Sequence, residues 1–78
     1  MNKNEWKKAL LDGASTYFAF QRKKAAINLD NYLDNPAAIG EHGDLVEECI
    51  KLIKDIEHAD GCLDVIDNMT KEIGRAHV

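Results

Sequence analysis

Apolar residues recur at steps of three and four along almost the whole chain. The cleanest run is Leu45, Cys49, Leu52, Ile56, Ala59, Leu63, Ile66, Thr70 and Ile73, an unbroken alternation of four and three with Thr70 its only polar member. A seam of this kind keeps one side of a helix against a partner helix. It predicts a helix over about residues 44–73. Asp44 is the expected N-cap, Glu47 stands where it can complete a capping box, and Gly74 is the expected stop.

The first half carries the same period in Leu11, Ala14, Phe18, Gln21, Ala25, Asn28 and Tyr32. This predicts a helix over about residues 4–33, with Leu10, Tyr17, Leu29 and Leu33 broadening its seam. Gln21 and Asn28 fall at core-type positions. They are either paired amides that fix register or solvated flanks of a wide stripe. No stretch alternates with the period of two that a half-buried strand requires.

Between the two periodic runs lies Asn35-Pro36-Ala37-Ala38-Ile39-Gly40-Glu41-His42-Gly43. Asn35 precedes the only proline and is biased away from helix, so the first helix ends there or just before. Ile39 is the one large apolar residue of the turn and is expected to fold over the hairpin end. Gly40 and Gly43 permit backbone angles that other residues resist. Glu41 and His42 are not needed by a turn; they either cap the second helix, Glu41 near its positive end, or form a contact that a partner reads. Two long helices joined by a loop of about residues 34–43 must lie antiparallel if their seams meet. The expected fold is all-α: a coiled-coil-like antiparallel hairpin, one domain over residues 1–78, roughly 45 Å long at 1.5 Å per residue. Gly13 and Gly61 fall near one level of that rod. They mark either a close approach of backbones or breaks that would give four short helices.

One seam does not absorb every apolar residue. Trp6, Phe20 and Ile27 follow a separate stripe with Gly13 at the same seven-residue spacing. Val46, Ile50 and Ile53 widen the apolar side of the second helix. Phe20, Ile27, Val46, Ile50 and Ile53 all belong to the half of the hairpin nearest the turn, and are expected to form a partner interface there. The simplest partner is a second copy, giving a homodimeric four-helix bundle; the alternative is a groove or helix on a different protein.

Composition narrows the function classes. Seventy-eight residues with 45% hydrophobic content suit one small globular domain, and small domains often need a disulfide, a metal or oligomerisation. No apolar run reaches transmembrane length and Met1-Asn2-Lys3-Asn4-Glu5-Trp6 carries no signal-peptide core, so a soluble intracellular protein is expected. Cys49 and Cys62 lie thirteen residues apart on one helix, roughly 20 Å, which is beyond disulfide reach. The net charge of −4 divides into +2 over residues 1–34 and −6 over residues 35–78. That asymmetry suits self-association better than a dedicated nucleic-acid binder.

Candidate chemistry is sparse. Asp55 and His58 form one half of the spacing that carboxylate-bridged metal sites use. Glu41, His42, Asp44, Cys49, Cys62 and His77 are the other candidate ligands, without a convincing cluster. Ser15 and Thr16 lack an evident base, and the glycines follow no phosphate-binding pattern. No catalytic, metal or cofactor site is expected. Arg22-Lys23-Lys24, with Lys3, Lys7 and Lys8, is the one candidate nucleic-acid contact, set against the reading that it pairs with acidic residues of the second helix.

The segment from Asn35 to His42, followed by Asp44, resembles an N-P-x-x-I-G-E-H signature of short uncharacterised proteins of T4-like tailed phages, including those infecting cyanobacteria. The similarity covers roughly Gln21 to Val65, and Gly43 stands where those proteins often carry proline. It implies a phage protein with a helical hairpin, in the host cytoplasm or the virion, and no activity. The expected function is a protein–protein interaction or adaptor module that binds a host or phage protein through its loop end and is not an enzyme. The alternatives are an accessory nucleic-acid-binding factor in phage DNA metabolism and a minor virion structural or assembly protein.

Overall fold

A computed structural model describes residues 1–35 and 44–75. They form two helices, α1 over Lys3–Asp34 and α2 over Leu45–Arg75, packed along their length as an antiparallel hairpin. The molecule measures 57 × 18 × 16 Å. Pro36, Ile39, Gly40, Glu41, His42, Gly43 and His77, to which the sequence assigns expected roles, lie outside the described residues.

Both helices begin on a side-chain cap. Asp44 Oδ1 accepts from the Val46 and Glu47 amides at 2.9 and 3.3 Å, as its position before the apolar run leads one to expect. At α1 the cap is Asn2. Its Oδ1 accepts from the Glu5 amide at 2.8 Å, and its Nδ2 donates back to Glu5 Oε1 at 3.1 Å. This reciprocal pair begins the helix at Lys3, one residue before the expected start. Asn35 terminates α1, donating its amide to the Asn31 carbonyl at 2.9 Å. α2 does not stop at Gly74 and continues to Arg75. Glycine ends a helix only where it adopts a left-handed conformation, and Gly74 keeps a helical one.

The two seams meet as their spacing requires. Phe18 lies beside Ala59, and Leu11 beside Leu63 and Ile66. Stepping along both helices from these pairs sets Ala25 against Leu52 and Tyr32 against Leu45. At Phe18–Ala59 and Ala25–Leu52 a large residue faces a small one, and the buried apolar residues among those described are Ala25, Leu52 and Ala59. Gln21 is half-buried, whereas Asn28 and Thr70 are exposed. Asn28 gives way to Leu29, which is half-buried one position along. Thr70 turns its hydroxyl to the Ile66 carbonyl at 2.8 Å, satisfying it within its own helix.

Neither helix breaks at its internal glycine, so four short helices do not form. Nor do the backbones converge there: a Cβ at Gly13 or Gly61 would meet nothing within 4 Å.

Candidate functional site

The hairpin has two long sides, each bounded by one flank of α1 and one flank of α2. Cross-helix pairs identify them. Arg22 Nε donates to Asp60 Oδ1 in an ion pair on one side. On the other, Leu10 and Met69 border one groove, and Tyr17, Gln21, Asp55 and His58 border another.

Seven-residue steps keep a residue on the same side of a seam. From Arg22 they lead to Leu29, and from Asp60 to Ile53 and Val46. Ile50 and Leu33 sit one turn from these. Leu33, Val46, Ile50 and Ile53 therefore make an apolar patch on the Arg22–Asp60 side, near the turn. From Leu10 the same step leads to Tyr17, and from Met69 to Cys62. Trp6, Phe20 and Val65 flank them, so the opposite side is apolar mainly in the half away from the turn.

This divides the expected partner interface. Phe20, Ile27, Val46, Ile50 and Ile53 are all exposed, at 61, 52, 66, 46 and 52%. They do not form one surface. Phe20 and Ile27 lie on the Tyr17 side; Val46, Ile50 and Ile53 lie on the Arg22–Asp60 side. All five share the turn-proximal part of the rod, but distance along a helix says nothing about azimuth. Leu10, Tyr17 and Leu33, expected to broaden the seam, are likewise more than half exposed. With Trp6, Gly13 and Phe20, Leu10 and Tyr17 form a second alternation of four and three: 6, 10, 13, 17, 20. That pattern stands in the sequence, and Leu10 and Tyr17 are hidden in it because each is also three or four residues from a seam position.

The charged groups are arranged for solvent and for local pairing. Lys51 bonds Asp55 at 3.0 Å and Lys71 bonds Asp67 at 2.9 Å, both one turn apart. The Asp55 carboxylate, through its hydrogen bond and its charge, holds the Lys51 ammonium above its ordinary pKa. Asp55 is thus engaged by a lysine. Among the described residues no three histidine, cysteine or acidic side chains are placed to hold a metal ion. His58 instead lies 3.7 Å from the Cys62 sulfur and packs edge-on to Phe18 at 6.2 Å between ring centres. Cys49 and Cys62 are both free thiols. Thr16 donates to the Asp12 carbonyl at 3.0 Å, a bond internal to its helix. Of the candidate nucleic-acid contact, Arg22 is tied to Asp60, while Lys23 and Lys24 are exposed. Among the described residues no helix is long and apolar enough to cross a membrane.

Compared with known protein families, curated proteins and solved structures, the chain matches none.

Proposed function

We infer that the protein is a self-associating interaction module without catalytic chemistry of its own. One observation carries this reading. Three apolar residues are buried, whereas twelve large hydrophobic residues among those described are exposed, most of them by more than half. Scattered exposed apolar residues are ordinary, but contiguous bands on two sides of one small hairpin are not. The accessible surface is 6104 Å², against about 4,700 Å² for a compact monomer of this mass. The excess, about 1,400 Å², is more than the roughly 800 Å² that a standard protein–protein interface removes from each partner. In this reading one apolar side joins copies of the chain, and the other receives a further protein as an adaptor would. The phage association rests on the N-P-x-x-I-G-E-H segment alone. The nucleic-acid alternative draws on Lys23 and Lys24, and one basic residue of that run is already paired.

Sedimentation equilibrium from about 5 to 500 μM tests the reading. The range brackets the micromolar affinities common for interfaces of this size. A reversible shift to dimer or a higher oligomer is expected. A monomer throughout, with a cooperative melt independent of concentration, overturns it.

A further inference from the structure

The exposed band on the Tyr17 side has an internal symmetry. On α1, Trp6, Leu10, Tyr17 and Phe20 are disposed about Gly13 at −7, −3, +4 and +7. On α2, Cys62 and Met69 are disposed about Val65 at −3 and +4. Leu10 borders the same groove as Met69, which places Gly13 and Val65 at about the same level of the rod. Both helices are therefore quasi-palindromic about one line across this side of the hairpin.

We propose that two copies of the chain join through this side in antiparallel fashion, with a two-fold axis passing at the level of Gly13 and Val65. The proposal rests on the self-association inferred above and specifies its face and direction. Isologous contacts need a surface complementary to itself, and the palindrome supplies one. Trp6 meets the second copy's Phe20, Leu10 meets Tyr17, and Met69 meets Cys62. The four α-helices then form a square bundle over the halves away from the turns, each helix using one seam within its hairpin and a second seam toward its counterpart. Gly13 falls at the crossing, where the absence of a side chain lets the two α1 backbones approach. Nothing within the hairpin occupies that space.

The charges agree with this direction on α2. The same axis brings Glu72 level with the second copy's His58, and Arg75 level with Asp55. On α1, Ile27 comes level with Met1, which is 85% exposed. Lys3 and Lys24 meet as like charges at the rim, where long stems can diverge into solvent. A parallel stacking would bury this side along its whole length, including the turn-proximal part where Lys24, Asn31, Glu48, Lys51 and Asp55 lie.

Two measurements test the arrangement. In a Cys49→Ala/Cys62→Ala background, a nitroxide on Asp34→Cys reads the separation of the turn ends by pulsed electron resonance. The antiparallel dimer places the labels about 60 Å apart at 1.5 Å per residue from the axis; parallel stacking places them within about 25 Å, given helix axes 8–10 Å apart and flexible label arms. Sedimentation then compares Gly13→Lys with Gly61→Lys. Both relieve a mid-helix glycine, and Gly61 lies on the outer surface of α2. Gly61→Lys is expected to remain dimeric, and Gly13→Lys to weaken dimerisation by about a hundredfold or more, the scale of an ammonium forced into an apolar contact. A dimer with close turn ends, or one that Gly13→Lys leaves intact, overturns this face while leaving self-association standing. A wild-type monomer overturns both. The label distance is read with native Gly13, so it decides the question even if Gly13→Lys loses helix content.

Discussion

Asn2 and Asp44 do the same work at the two helix starts, and each is replaceable only at a cost. Their side chains satisfy amides that have no partner within the helix. Asp44→Ala is expected to destabilise the fold by about 1 kcal/mol in chemical denaturation; Asn2→Ala loses the reciprocal Glu5 contact as well, though at a chain end that frays more readily. Gly61 works in the opposite sense. It holds a helical conformation with open space where a Cβ would stand, so its flexibility is only a cost. Gly61→Ala should raise stability by about 1 kcal/mol, visible as a melting temperature higher by about 4–8 °C.

At the scale of the helices, the size matching along the seam sets the register. Ala59 is 1% exposed and lies against Phe18. Ala59→Leu adds volume where none is free and is expected to cost about 1–3 kcal/mol, with a lowered denaturation midpoint. The Arg22–Asp60 pair also joins the helices, but its side chains are 45 and 49% exposed. Solvent screening limits such a pair, so Arg22→Ala should change stability by less than about 1 kcal/mol in the same assay. The contrast separates the contact that specifies the hairpin from one that decorates it. Much of this scale was legible beforehand. The unbroken run from Leu45 to Ile73 placed α2 to within two residues, and only its two polar-adjacent ends differed. α1 was harder to orient because its apolar residues serve two seams, so that Leu10 and Tyr17 fit either.

For the whole molecule, a hairpin with so small an enclosed core depends on what covers its sides. If folding and association are linked, a tenfold rise in protein concentration adds up to about 1.4 kcal/mol. The melting temperature should then climb by several degrees per decade of concentration, followed by circular dichroism. The division of charge, basic in the first half and acidic in the second, is compensated in part in an antiparallel hairpin, where Arg22 finds Asp60. The five residues expected at a partner interface are all exposed, but they separate onto opposite sides of the hairpin.

The sequence by itself determined the two helices, the capping of α2 at Asp44, the end of α1 before Asn35 and the seam by which they meet. These follow from local periodicity and cap chemistry, which act within a few turns of one chain. Only the tertiary structure decided which flank of α1 lies beside which flank of α2. A helix presents its residues around a full circle, and the sides of a hairpin exist only once two such circles are set against each other. That setting separated Phe20 and Ile27 from Val46, Ile50 and Ile53, and it brought Gly13 and Val65 to one level.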